Sequence, residues 1–246
     1  MHRVLISPRA IQGGRIRVHD PGQLHHLLHV LRVNTGDALE CFDGEGRRYA
    51  GRVIKRSPQE LIVQLGAASA EPFPAVQVTL AVSLIKFDRF EWMVQKATEL
   101  GADRLIPLVT ARTVIRPSSA QAAGRLQRWR RIIQEAGRQC DRQRLPEIEL
   151  PQTVERVVAE CGPEICLLVP TLAGQTVPLR DALAGLNTCR SAMVLIGPEG
   201  DFTPEEAQAA ARHGARLVSL GAMTLRSETA ALATLAVVRY AAGMFG

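Results

Sequence analysis

Leu195-Ile196-Gly197-Pro198-Glu199-Gly200-Asp201-Phe202-Thr203-Pro204-Glu205-Glu206 joins the end of an apolar run to the start of a helix. The run, Ala192 to Ile196, is short and continuous, as strands buried on both faces of a parallel sheet are. Thr203-Pro204-Glu205-Glu206 is helix-start chemistry, with Thr as the cap and Pro at the first position. Between run and helix, Gly197 and Gly200 permit backbone conformations that residues with a Cβ resist. Leu220-Gly221-Ala222-Met223-Thr224-Leu225-Arg226-Ser227-Glu228-Thr229-Ala230-Ala231 repeats the pattern. It follows the run Arg216 to Leu220 and leads into an apolar helix predicted over 228–244. Strand, loop and helix in repeated succession predict an α/β domain.

Val78 to Val82, Arg104 to Val109 and Ile165 to Val169 are further short apolar runs separated by segments of helix length. Upstream of residue 70 the rhythm differs. Arg15 to Val18, Tyr49 to Ile54 and Leu61 to Leu65 alternate with period two, and Gly36-Asp37 and Asp43-Gly44-Glu45-Gly46 are turn chemistry. Pro21 to Arg32 places Leu24, Leu27, Leu28 and Leu31 at helical spacing. Short strands with one helix predict a compact barrel. Gly66 to Pro74, rich in small residues and proline, reads as a linker. The expected domains are therefore 1–72 and 73–246.

Roughly 18 consecutive apolar residues would be needed to span a membrane, and the chain has no such run. Its N-terminus lacks the pattern of a signal peptide, so the cytoplasm is the expected location. Five scattered cysteines with no Cys-x-x-Cys pair argue against both a disulfide framework and a zinc site. His25 and His29 have ligand spacing, but no third ligand follows nearby; no metal is expected, and RNA contact is the better reading. The formal charge of +6 is unevenly spread. Residues 86–145 carry thirteen Lys or Arg against six acids, whereas 146–246 carry seven against eleven. Arg125, Arg128, Arg130, Arg131, Arg138, Arg142 and Arg144 crowd one stretch, which suits a polyanion or, more plainly, a solvated helix face. Trp92 and Trp129 sit in amphipathic patterns that favour packing over base stacking.

Neither glycine-containing loop is a Gly-x-Gly-x-x-Gly fingerprint or a phosphate-binding P-loop, which excludes the usual dinucleotide and triphosphate sites. What they supply is glycine-lined backbone at the C-terminal ends of parallel strands, where α/β sheets bind ligands. On spacing alone, two ordinary loops before helices remain an equal reading.

The two loops resemble the signature motifs of the RsmE-type 16S ribosomal RNA uridine-N3 methyltransferases of the SPOUT superfamily: a Gly-Pro-Glu-Gly loop and a Leu-Arg-x-Glu-Thr-Ala stretch. The likeness continues through Lys86-Phe87-Asp88-Arg89-Phe90-Glu91, Gln95 to Gly101, Glu135-Ala136-x-x-Gln139-Cys140-x-Arg142, and His25-His26-Leu27-x-x-Val30-Leu31-Arg32-x-x-x-Gly36-Asp37. It spans nearly the whole chain. The resemblance implies a trefoil-knotted, parallel-sheet α/β domain that dimerises, preceded by a small PUA-like β-barrel that binds RNA. In one respect the chain departs from the pattern: Asp201 stands where the family usually has a second glycine, and Asp adopts left-handed backbone less readily than Gly.

The implied methyl donor is S-adenosylmethionine, held by Leu195, Ile196, Gly197, Pro198, Glu199 and Gly200 of the first loop. Leu220, Gly221, Met223, Leu225, Arg226, Thr229 and Ala230 would complete its site. Contacts with 16S ribosomal RNA, or with the small ribosomal subunit, are expected from Arg9, His25, His26, Arg32, Lys86, Arg128, Arg131 and Arg142. Alkylating uracil N3 requires loss of a proton whose pKa lies well above neutrality, so a base must assist or positive charge must hold the anion. Arg226 is the natural electrostatic partner; Glu199 and Glu228 are possible bases, with bracing of loop and helix as their plainer roles. Two other functions fit the same sequence: a ribose 2′-O-methyltransferase of the same superfamily, and a non-catalytic RNA-binding ribosome-assembly factor.

Overall fold

A computed structural model describes residues His2–Phe245. By its internal contacts the chain divides into two units, Met1–Pro72 with Gly137–Leu145, and Phe73–Ala136 with Pro146–Gly246. The short stretch Gly137–Leu145 thus associates with the N-terminal residues rather than with its sequence neighbours.

In the first unit five strands form one sheet in the order β1-β3-β4-β5-β2. They are β1 (His2–Leu5), β2 (Arg15–Val18), β3 (Ala38–Phe42), β4 (Arg47–Arg56) and β5 (Leu61–Ala70). β1 runs parallel to β3 and the other pairs are antiparallel. Alternation works as the pattern demands: Ile16 and Val18 of β2 and Leu61, Val63 and Leu65 of β5 are buried. Helix α1 (Pro21–His25) starts at Asp20, whose carboxylate accepts from the Gln23 amide at 2.9 Å. It continues as a π-helical turn over His26–Val30, and Leu24, Leu27 and Leu28 enter the core. Among the described residues β1 and β2 do not pair with each other, so the expected small barrel is a five-stranded half-barrel.

The linker expected over Gly66–Pro74 is shorter than the composition suggests. β5 runs on to Ala70, with Ala68 opposite Tyr49, Ser69 opposite Arg48 and Ala70 opposite Arg47. Ladder hydrogen bonds are made by backbone, so exposed small residues can extend a strand without displaying any side-chain pattern. β1 and β3 also escape a periodicity test: β1 buries one side chain, Val4, while Leu39 to Phe42 of β3 are all buried.

The second unit is a seven-stranded sheet in the order β10-β12-β9-β11-β6-β7-β8, every pair parallel. Its strands are β6 (Gln77–Ser83), β7 (Arg104–Leu108), β8 (Glu147–Ile148), β9 (Ile165–Pro170), β10 (Val177–Pro178), β11 (Ser191–Ile196) and β12 (Arg216–Ser219). Five of them coincide with the apolar runs. β8 and β10, two residues each at opposite edges, are too short to carry a signal. The connecting helices are α2 (Phe87–Glu99), α3 (Ser119–Gln139), α4 (Val154–Ala159), α5 (Leu179–Ala182), α6 (Pro204–Arg212) and α7 (Ser227–Ala241). α7 is shorter than the helix predicted over 228–244.

After β12, which lies beside β9, the chain returns across the sheet, and α7 packs on β6, β11 and α2. The return is anchored by Arg239, fully buried, which donates to the carbonyls of Val76 and Gly101 and pairs with Asp103. It brings the loop after β12 past the loop after β11. Among the described residues no helix is long and apolar enough to cross a membrane.

Candidate cofactor site

Three adjacent strands, β12, β9 and β11, end together, and their C-terminal ends form a cleft that is partly open to solvent. From the first loop Ile196, Gly197, Pro198 and Glu199 line it, and from the second Leu220, Gly221, Met223, Leu225 and Ala230. Four of the residues expected there are not part of its lining. Leu195 is buried in the apolar core beneath the sheet's end, and Gly200 faces Arg112. Thr229 is exposed outside the lining, and so is Arg226, one residue beyond Leu225 at the cap of α7.

Sequence reasoning misses the third contributor, Pro170-Thr171-Leu172 at the end of β9, along with Asp201, Ser219, Thr224 and Ser227. Nothing in Pro170 to Leu172 is unusual in composition. The signal available is topological, because β9 lies between the two strands whose loops are conspicuous.

The first loop is held rigidly. An added Cβ at Gly197 would lie 3.1 Å from the Phe202 amide nitrogen and 3.2 Å from backbone carbons of Asp201, a close approach of backbone that favours glycine there. The left-handed turn falls on neither glycine of this loop but on Asp201, with φ 61°. Its carboxylate stabilises that conformation: Oδ1 accepts from the Phe202 amide at 2.8 Å, while Oδ2 accepts from Thr171 Oγ1 at 2.7 Å and the Leu172 amide at 2.8 Å. Arg112 donates to the carbonyls of Gly200 and Phe202. Downstream, Thr203 and Glu206 form a reciprocal capping box, and Glu206 Oε1 also accepts from the Ala111 amide at 2.8 Å. The two loops are joined by Ser227 Oγ, which donates to the Gly197 carbonyl at 2.8 Å.

The lining is apolar along Ile196, Pro198, Leu220, Met223, Leu225 and Ala230, and carries the carboxylates of Glu199 and Asp201. Among the described residues that line it there is no Lys, Arg or His. Such a wall suits a flat apolar group and positive charge and opposes a polyphosphate. Glu228 is outside the cleft, buried, with its carboxylate 4.0 Å from Arg89 Nε.

The expected RNA-contacting residues divide between the units. Arg9, His25, His26 and Arg32 are exposed on the first unit, the His25 ring 5.1 Å from that of His29, and Arg142 lies in the Gly137–Leu145 stretch. Lys86 and Arg131 are exposed on the second. Arg128 is exposed too, but its Nε and Nη2 pair with both oxygens of Glu91 at 2.6 and 2.7 Å. Arg125 shares Glu91 and stacks on Phe87, 3.7 Å from the ring centroid. The arginine run is therefore not one uniform face: α3 ends at Gln139, and Arg125 and Arg128 are held against α2 by a carboxylate. Trp129 is fully buried against Phe90, whereas Trp92 is exposed. Among the described residues no group of three or more His, Cys, Asp or Glu side chains is placed to hold a metal ion.

The family model described as an RNA methyltransferase domain matches residues 71–239, and one described as an RNA methyltransferase PUA domain matches 20–66. The chain is 32% identical over 240 residues to ribosomal RNA small subunit methyltransferase E of Synechocystis, covering 96% of this chain and 77% of that protein. It is 32% identical over 231 residues to the Mycobacterium bovis protein of the same name, covering 92% and 86%. The crystal structure of the Neisseria gonorrhoeae ribosomal RNA small subunit methyltransferase E bound to S-adenosyl methionine superposes with a TM-score of 0.84 at 26% identity, covering 98% of this chain and 97% of that one. The shared architecture is a SPOUT-type α/β domain with an N-terminal PUA half-barrel. The chain belongs to the ribosomal RNA small subunit methyltransferase E family.

Proposed function

We propose that this protein is an S-adenosylmethionine-dependent methyltransferase that modifies N3 of a uridine in 16S ribosomal RNA, in the cytoplasm and as a homodimer. The observation that carries the reading is the cleft at the joined ends of β12, β9 and β11, whose lining combines apolar surface, close-packed glycine backbone and two carboxylates without a cation. An adenine fits the apolar wall, and a sulfonium and an ammonium fit the negative one. The donor supplies an electrophilic methyl group on positively charged sulfur.

The chain's own residues then have separable tasks. Ile196 to Pro198 and Leu220 to Leu225 hold the donor, largely through backbone. Arg226 is exposed beside Leu225 and makes no side-chain hydrogen bond or ion pair among the described residues, so its guanidinium is free to hold the uridine anion or an adjoining phosphate. Of the two candidate bases, Glu199 lines the cleft and Glu228 is engaged with Arg89, so a proton leaving N3 has Glu199 or water as its acceptor. Exposed Arg9, His25, His26, Arg32, Lys86 and Arg131 supply contacts to RNA backbone.

A second copy of this chain is the partner that suits α7. Ala230 lines the cleft, and from it Ala233, Val237 and Tyr240 continue at helical spacing on the outside, with Val237 42% and Tyr240 70% exposed. Trp92 of α2, the helix packed beside α7, is 48% exposed. Burying this stripe against its copy removes apolar surface from water next to the donor site. Calorimetric titration with S-adenosylmethionine tests the enzyme reading: saturable binding near one equivalent per chain is expected, and absence of binding would leave a non-catalytic RNA-binding protein.

A further inference from the structure

Asp201 occupies a left-handed turn that glycine would occupy more cheaply, yet its carboxylate is bonded on both oxygens. Two of its three donors, Thr171 Oγ1 and the Leu172 amide, belong to the neighbouring strand end rather than to its own loop. Thr171 Oγ1 in turn accepts from the Ala173 amide at 3.1 Å, so the network fixes the whole turn that leaves β9. Thr171 and Leu172 line the cleft, and the Leu172 side chain stands 71% exposed at its edge. Gly200 on the other side of Asp201 is gripped by Arg112, so the carboxylate projects from an anchored base.

We propose that Asp201 is a positioning residue for the methyl donor: by bonding Thr171 and Leu172 it fixes the β9 wall of the cleft at the width that the donor needs. This rests on the reading of the cleft as an S-adenosylmethionine site. The favourable backbone of a glycine is exchanged for a bridge between two strand ends, and hydrogen bonds to a charged acceptor are the stronger kind. The effect belongs to donor binding, not to the chemical step, because the Asp201 carboxylate, although part of the lining, has both oxygens bonded to Thr171, Leu172 and Phe202 and so acts mainly through the walls it joins.

The test uses the full chain and its variants Asp201→Gly, Asp201→Asn and Thr171→Val. Calorimetry with S-adenosylmethionine and steady-state kinetics on small-subunit RNA give Kd, KM and kcat, and thermal denaturation checks the fold. Asp201→Gly keeps its cooperative unfolding, since glycine accepts φ 61° without strain. It is expected to raise Kd and KM for the donor about tenfold while kcat at saturating donor falls less than about threefold, the scale of losing charge-assisted hydrogen bonds. Asn, which tolerates left-handed backbone and retains one acceptor, recovers part of the loss. Thr171→Val weakens binding in the wild type and adds little in the Asp201→Gly background, because bonded partners are not additive. Asp201→Gly binding the donor within about twofold of wild type, or a fall in kcat with KM unchanged, overturns the proposal alone. A wild-type protein that binds no donor overturns the cleft reading and the proposal together.

Discussion

Ser227 Oγ donates to the Gly197 carbonyl across 2.8 Å in the protein interior, joining the start of the last helix to the loop after β11. These positions are 30 residues apart in the chain, and this bond fixes the two loops of the cleft against each other. Removing the hydroxyl leaves a buried carbonyl without this partner, which costs about 1–3 kcal/mol. Ser227→Ala should lower the denaturation free energy by that amount and weaken donor binding several-fold; chemical denaturation and calorimetry unchanged from wild type would show that the bond holds nothing.

Arg226 is exposed at the cap of α7, next to a cleft-lining residue but outside the lining itself. Arg226→Ala should therefore leave donor affinity nearly intact while turnover falls about a hundredfold, the scale of losing one preorganised electrostatic donor. Lys should restore part of the rate, lacking the planar fork. Single-turnover kinetics check this, and near-normal turnover in the Ala variant removes Arg226 from the mechanism.

Along α3 the arginines should not be equivalent. Arg131 is exposed with no carboxylate partner among the described residues, whereas Arg128 is already neutralised by Glu91. Arg131→Ala should flatten the salt dependence of RNA binding by about one phosphate contact, and Arg128→Ala by less. Filter binding across a salt series decides; equal slopes for both variants and wild type would make α3 a solvated face.

Three strands of the first unit and the second unit's α/β order are legible because burial imposes period two on β2, β4 and β5, and continuous apolar runs on the central strands. Turn chemistry exposes the two conspicuous loops. The β9 end is not legible, since Pro170 to Leu172 acquires its role only when the sheet order sets β9 between β12 and β11. Asp201 reads from sequence as a departure from a glycine and only in three dimensions as a bridge. Arg239 is equally hidden: an arginine near the end of an apolar helix suggests solvent, yet it is the buried anchor of that helix. Similarly, the Glu91 pairing of Arg128 depends on how α2 and α3 lie, which residue counts along the chain do not reveal.

The stripe from Ala233 to Tyr240 should hold a dimer together. Tyr240→Glu with Val237→Glu places charge on apolar surface that the second copy covers, and should shift sedimentation from dimer to monomer at micromolar concentration. A wild-type protein that sediments as a monomer would contradict the assignment.

Methyl transfer to RNA, with the modified atom identified, decides which reaction this protein performs. Purified protein, radiolabelled S-adenosylmethionine and small ribosomal subunits from a strain lacking the modification are incubated, and the 16S ribosomal RNA is digested and analysed by mass spectrometry. Label is expected in 3-methyluridine at a single site, where the blocked Watson–Crick edge also arrests reverse transcription. Label on a ribose 2′-oxygen, or no transfer by a protein that binds the donor, would contradict it.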